Sequence, residues 1–253
     1  MNRLSQPTLD RIVGQTVSNK HIHGAVFQVA FPDQPLALTS AAGNIPANGF
    51  YYIASINKLF LSAITLRLYR DGKLNLTDMI ANYLPADTVL GLLVYKGRDY
   101  SGQITIAHLI SHTSGLPCYL IDKRGKKPKV MEELLHGIDQ EWPTDRVIAQ
   151  VKQMRPKFLP GQKGKANYAN TNFRLMGKIL EALLQKPIAT ILTNVFDELK
   201  LQHTFVLRHD EERTFTPVYV KEKPIHIPRY LSSSGYDIVS TAGDQIGVFK
   251  GFY

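Results

Sequence analysis

The stretch from Ser55 to Arg70 constrains this chain most. Leu59, Phe60, Ala63, Ile64 and Leu68 recur there at helical spacing, and Asp71-Gly72 ends the run. Apolar residues at every third or fourth position form one stripe that must be buried, and a glycine just past the last of them is a helix stop. The spacing predicts a helix over residues 55–70. At its mouth lies Tyr52-Ile-Ala-Ser55-Ile-Asn-Lys58, with Ser55 and Lys58 one turn apart. Residues three apart share a face, so the Lys58 amine can reach the Ser55 hydroxyl. Such a pair makes an alcohol nucleophilic without histidine when burial, neighbouring charge or the helix dipole disfavours the ammonium form. The Ser55 N–H, free at a helix start, can donate to a developing oxyanion. Taken alone, the pattern reads first as an N-capping serine with a surface lysine one turn on.

Two further segments change that order. Tyr168-Ala169-Asn170 opens another apolar-periodic run through Leu175, Met176, Ile179 and Leu183. A phenol beside an ammonium can relay protons between nucleophile and leaving group. An asparagine two residues on offers both a donor and an acceptor. The plain alternative is a Tyr and an Asn that pack and cap the helix. His108-Leu-Ile-Ser111-His112-Thr113-Ser114-Gly115-Leu-Pro117 reads as a helix ending at Gly115, with Pro117 barring continuation. A Ser/His pairing within it lacks the Gly-x-Ser-x-Gly elbow.

In this order and spacing the segments resemble the serine β-lactamase and penicillin-binding-protein superfamily. The nearest branch holds class C β-lactamases, D-amino-acid peptidases and related esterases. The resemblance runs through Ile53-Ala-Ser55-Ile-Asn-Lys58, Asp71-Gly72-Lys73-Leu74-Asn-Leu76-Thr-Asp78, Tyr83-Leu84-Pro85, Leu109-Ile-Ser111-His112-Thr113-Ser114-Gly115-Leu116, Pro160-Gly161, Tyr168-Ala-Asn170 and Ser240-Thr241-Ala242-Gly243-Asp244. It implies Ser55 as acylated nucleophile, Lys58 as its proton acceptor, Tyr168 as second base and Asn170 as the residue orienting lysine and substrate. It implies a mostly structural part for Ser111, His112 and Ser114. The implied activity is serine hydrolysis of β-lactams, D-amino-acid peptides or small esters through an acyl-enzyme. The implied fold is α/β of the α+β type, an antiparallel sheet flanked by helices with a mostly helical region inserted.

The family's third element, His-x-Gly or Lys-Thr/Ser-Gly on a downstream strand, has no counterpart here. The one Lys-x-Gly, Lys123-Arg124-Gly125, lies upstream of Tyr168. The expectation is that the C-terminal strands are missing, with three consequences to weigh. Turnover is impaired, or the chain is a pseudoenzyme or binding module, or a second chain completes the sheet by strand addition. Loss of one oxyanion donor alone costs about 100- to 1000-fold in turnover.

With 253 residues, 44% of them hydrophobic, the chain can bury a substantial core. The expected division is 1–73 with 202–253 as an α/β part, and 74–201 as a helical part carrying Tyr168 and Asn170. The N-terminus lacks a signal-peptide core, which points to the cytoplasm if Met1 is the native start and to an exported location if it is not. No apolar run spans a bilayer. Cys118 stands alone and reads as a packed loop cysteine. Five positive charges fall in Lys123–Lys129, within a formal net charge of +9. They lack interleaved aromatics or a recognition helix, so a solvated loop is expected rather than a nucleic-acid surface. No His or Cys spacing suits a metal, and no cofactor motif is present.

Strands are expected at residues 24–31 and 36–43, joined by a turn at Pro32–Pro35. Glu132–Gly137, Thr144–Met154 (capped by Thr144) and Ile188–Leu199 read as helices. His203–Arg229 reads as short β pieces, and a last helix is capped near Ser240–Thr241 with Asp244 in its first turn.

Overall fold

The structure is a computed structural model that describes residues 4–31, 37–220 and 222–252. The expected turn at Pro32–Pro35 lies outside the described residues. The chain divides into two compact units, one of residues 1–54, 193–226 and 237–253, the other of 55–192 and 227–236. This differs from the expected division. The helix carrying Lys58 groups with the helical residues, and so does the short segment 227–236.

In the first unit Gly24–Val29 and Leu38–Gly43 form an antiparallel pair in the register Gly24↔Gly43 to Val29↔Leu38. The helix Gln6–Val17 packs on this pair through Leu9 and Val13, both buried. It begins with Pro7 in its first turn, where a missing N–H costs nothing. A second sheet orders Tyr51–Tyr52, Ile238–Ser240 and Phe205–Val206, all antiparallel. Val218–Val220 and Lys223–Ile225 make a separate hairpin. The helix Ala242–Phe252 starts as expected: Thr241 Oγ1 accepts the Asp244 N–H, and the Asp244 carboxylate accepts from the His203 N–H and Thr204 Oγ1. The fold is thus mixed α/β, with small antiparallel sheets and helices.

In the second unit the helix expected at 55–70 runs from Asn57 to Arg70, after a single 3-10 turn at Ala54–Ile56. Phe60, Leu61, Ile64 and Leu68 are buried. Its end is a Schellman closure: Gly72, at φ +69°, donates to Tyr69 O and Lys73 to Leu68 O. Helices follow at Ile106–Ile110, Val130–Leu135, Thr144–Val151 and Asn170–Leu184, and a small hairpin of Val94–Tyr95 and Arg98–Asp99 precedes the first of them. Lys96 and Gly97, both at positive φ, supply its two-residue turn. Pro143, not Thr144, is the capping residue of Thr144–Val151.

Two expectations need correction here. The Ile106–Ile110 helix stops five residues before Gly115, because His112 itself takes the left-handed conformation at φ +59°. The basic loop is not wholly solvated. Arg124 is buried, its guanidinium pairs with Glu133 at 2.7 Å and faces the Trp142 ring, and it donates to Pro128 O at 2.7 Å through Nε. Arg174 is also buried, between the rings of Tyr119 and Tyr236, and donates to Tyr119 Oη at 2.9 Å. No single described helix is long and apolar enough to cross a membrane.

Candidate active site

The second unit brings together three of the four residues singled out by pattern. Ser55 lies in the 3-10 turn, one residue short of the Asn57–Arg70 helix cap, and is exposed. The preceding residue, Ala54, adopts φ +47°, a left-handed conformation that costs a non-glycine residue about 1–3 kcal/mol. Such strain persists only where the surroundings hold it. Lys58 follows one turn on, and its Nζ donates to Ser55 Oγ at 3.3 Å. The Tyr168 phenol comes from a distant loop to lie 2.7 Å from the same oxygen. Ser55 Oγ therefore sits between an amine and a phenol, each within reach of its proton.

The lysine lies among aromatic rings. Its Nζ is 5.5 Å from the Tyr168 ring centroid and 5.7 Å from that of Phe173. A ring face attracts a cation at this range. Next to the Tyr168 ring stands His112, with centroids 4.5 Å apart and planes tilted by 38°. Burial first, and then the Lys58 charge, hold the His112 imidazole below its usual pKa.

Asn170 is placed differently from the expectation. It is the first residue of the Asn170–Leu184 helix. Its backbone N–H donates to Cys118 Sγ at 3.4 Å and its side-chain amide approaches the same sulfur at 3.8 Å. Cys118 is buried, as the packed-loop reading had it. Among the described residues no hydrogen bond joins Asn170 to Lys58.

The segment His112–Pro117 runs alongside the stretch that carries Tyr168. Lys157 N–H donates to Gly115 O, Gly161 N–H to Thr113 O and Asn167 N–H to His112 O. Asn167 Nδ2 donates to Leu116 O and Thr171 Oγ1 to Pro117 O. Ser114 Oγ, buried, donates to Asn172 Oδ1 at 2.7 Å. Ser111 Oγ donates back to Ala107 O and is exposed. At Gly115, φ is +77° and a Cβ would fall 2.0 Å from Phe158 O, so only glycine lets the two segments approach this closely.

Sequence reasoning missed Phe173 and Asn172 as neighbours of the site. Phe173 lies five residues past Tyr168 and belongs to the buried face of its helix, so its apolar period read only as core. Among the described residues no cluster of three or more His, Cys, Asp or Glu is placed to hold a metal ion.

Several known proteins are similar to this chain. Protein flp of Staphylococcus aureus is 25% identical over 213 residues, which cover 79% of this chain and 38% of that protein. A β-lactamase of Pseudomonas fluorescens is 25% identical over 207 residues, covering 80% of this chain and 50% of that protein. The chain thus spans half or less of the length of these curated relatives. In fold it is similar to the D-stereospecific amidohydrolase from Streptomyces sp., with a TM-score of 0.77 at 24% identity, covering 98% of this chain and 73% of that one. The family model described as Beta-lactamase matches residues 9–249, and the chain therefore belongs to the β-lactamase family.

Proposed function

We propose that this chain is a serine hydrolase that works through an acyl-enzyme on Ser55. The supporting observation is the position of Ser55 Oγ, 3.3 Å from Lys58 Nζ and 2.7 Å from Tyr168 Oη. Both groups lie at proton-transfer distance, or close to it, before any substrate arrives. In this reading Ser55 Oγ attacks an amide or ester carbonyl while its proton passes to Lys58 or Tyr168. The Ser55 N–H at the helix mouth donates to the developing oxyanion. The tetrahedral intermediate collapses, the bond from carbonyl carbon to nitrogen or oxygen breaks, and the departing atom takes a proton back from the same pair. Water then attacks the acyl-enzyme, its proton returns through Tyr168 or Lys58, and the free acid leaves. Asn170 is proposed to face the substrate amide from the start of its helix.

The proposed substrates are β-lactams, D-amino-acid peptides and small esters, as the family resemblance implies. The relatives named as a β-lactamase and as a D-stereospecific amidohydrolase support cyclic and linear amides respectively. The test is intact-mass analysis after a fluorophosphonate or a fluorescent penicillin, beside Ser55→Ala. A single adduct on the parent protein, absent from the variant, is the expected result. Unmodified mass for both proteins overturns the proposal in favour of a binding module that keeps the fold.

A further inference from the structure

We propose that His112 is the positioning residue for the Tyr168 phenol, acting as a neutral imidazole whose Nδ1 must stay unprotonated. This rests on the serine-hydrolase reading above and adds a residue that the family resemblance treats as structural.

The two residues flanking Tyr168 are both held by His112. The Asn167 N–H donates to the His112 carbonyl at 2.9 Å, and the Ala169 N–H donates to the His112 ring at Nδ1, 3.2 Å away. A peptide N–H can only donate, so Nδ1 must be the acceptor and the ring proton must sit on Nε2. A second chain of bonds makes the same demand. The Leu116 N–H donates to Ser114 Oγ at 3.2 Å, which leaves that hydroxyl to give its proton to Asn172 Oδ1 at 2.7 Å. With its oxygen so occupied, Asn172 turns its Nδ2 toward His112 Nδ1 at 3.1 Å, again as a donor. Two donors thus converge on one ring nitrogen, and each comes from a residue within four of Tyr168.

The ring itself supports the phenol. Its centroid lies 4.5 Å from that of Tyr168 and 5.5 Å from that of Phe173. The backbone at φ +59° is what turns the side chain toward them. Histidine is among the residue types more often found in this left-handed region, so the conformation is tolerated here at modest cost.

Protonating Nδ1 would break both converging bonds at once. It would also set an imidazolium near Lys58, which approaches the same two aromatic rings. The titratable groups described as facing His112 are Lys58 from the nucleophile helix and Tyr168 from its loop. The Asn170–Leu184 helix contributes only the neutral Asn172 and Phe173. Burial and the Lys58 charge both act against the protonated ring, in keeping with an acceptor role. An acid limb in turnover belonging to His112 is the functional consequence, since protonation frees the peptide on which the phenol is carried.

The test compares wild type, His112→Ala and His112→Asn. Asparagine tolerates the left-handed backbone and places an amide oxygen near the position of Nδ1, without a titrating proton. For an aryl ester, His112→Ala is expected to lower kcat on the order of 100-fold with KM little changed, the loss expected for a misplaced group of about an ångström. His112→Asn is expected to recover at least about tenfold of that loss and to lack the acid limb in kcat/KM. Long-range proton–nitrogen NMR on the wild-type protein should show His112 neutral with its proton on Nε2. Equal rates for all three proteins, an unchanged acid limb in His112→Asn, or a proton found on Nδ1 would each overturn the proposal. Circular dichroism melts check that His112→Ala folds, and the NMR readout needs no variant. Absence of a Ser55 adduct in wild type would sink the hydrolase reading alone, because the tautomer of His112 is measured independently of turnover.

Discussion

The Ser55 hydroxyl and the Tyr168 phenol lie 2.7 Å apart although 113 residues separate them in the chain. Neither local spacing nor secondary structure demands that contact. It exists because the loop bearing Tyr168 is tied along the segment His112–Pro117, which fixes the phenol from behind while Lys58 approaches from the side.

If the phenol carries protons, removing its oxygen should cost rate rather than binding. Tyr168→Phe is expected to lower kcat toward an aryl ester by about 100- to 10,000-fold, with KM nearly constant. Steady-state kinetics read this directly. A rate within twofold of the parent would assign proton transfer to Lys58 alone.

Gly115 and Gly72 both have positive φ but differ in surroundings. At Gly72 a Cβ meets nothing within 4 Å, whereas at Gly115 it meets Phe158 O at 2.0 Å. Gly72→Ala should therefore cost about 1 kcal/mol, the backbone penalty alone. Gly115→Ala adds a clash between two backbones and should cost at least ~3 kcal/mol. Urea unfolding of the two variants separates strain from collision, and similar losses would contradict the close approach.

The ion pair between Arg124 and Glu133 is mostly out of water, with side-chain exposures of 4% and 16%. Glu133→Ala strands a buried guanidinium and should destabilise by about 3–5 kcal/mol. Arg70 and Asp71 pair at 2.8 Å on the surface, with exposures of 73% and 37%. Arg70→Ala should change stability by less than about 1 kcal/mol. Thermal melts would show a large shift for the first and little for the second.

His108 and His112 both hold pKa values below the ordinary histidine value, with burial the largest cause for each. The unfolded chain then takes up these protons first as pH falls. The stabilisation is fully present above about pH 6.5 and is lost progressively below it, toward the lower folded value. Urea midpoints should hold steady down to about pH 6.5 and then fall. His108→Gln should fall less steeply over the same window. A midpoint rising as pH drops through this range would reverse the sign and disprove the burial argument.

Much of this arrangement was legible in the residues. The stripe from Phe60 to Leu68 and the stop at Asp71-Gly72 marked a helix, and the alternation at 24–43 marked a strand pair, because each repeats long enough to reveal its period. Tyr51–Tyr52 and Ile238–Ser240 are two and three residues long, too short for any period, and they pair only through tertiary contact. The Gln6–Val17 helix buries only Leu9 and Val13, a stripe too narrow to stand out. Ser55, Lys58 and Tyr168 were recognisable as a set from their motifs. The contact of His112 with Ala169 was not, since it joins positions 57 apart through a ring nitrogen and a peptide. The left-handed turn that aims this ring sits at a histidine, where glycine would be the usual clue, so the helix end was placed five residues too late.

The left-handed backbone at Ala54 sets folding and chemistry against each other. A glycine in its place would relax that conformation, yet it would also loosen the peptide from which the nucleophile's turn starts. The alanine gives up some robustness to keep that entry stiff. Selection for heat tolerance alone would be expected to erode that choice, and selection for rate to restore it.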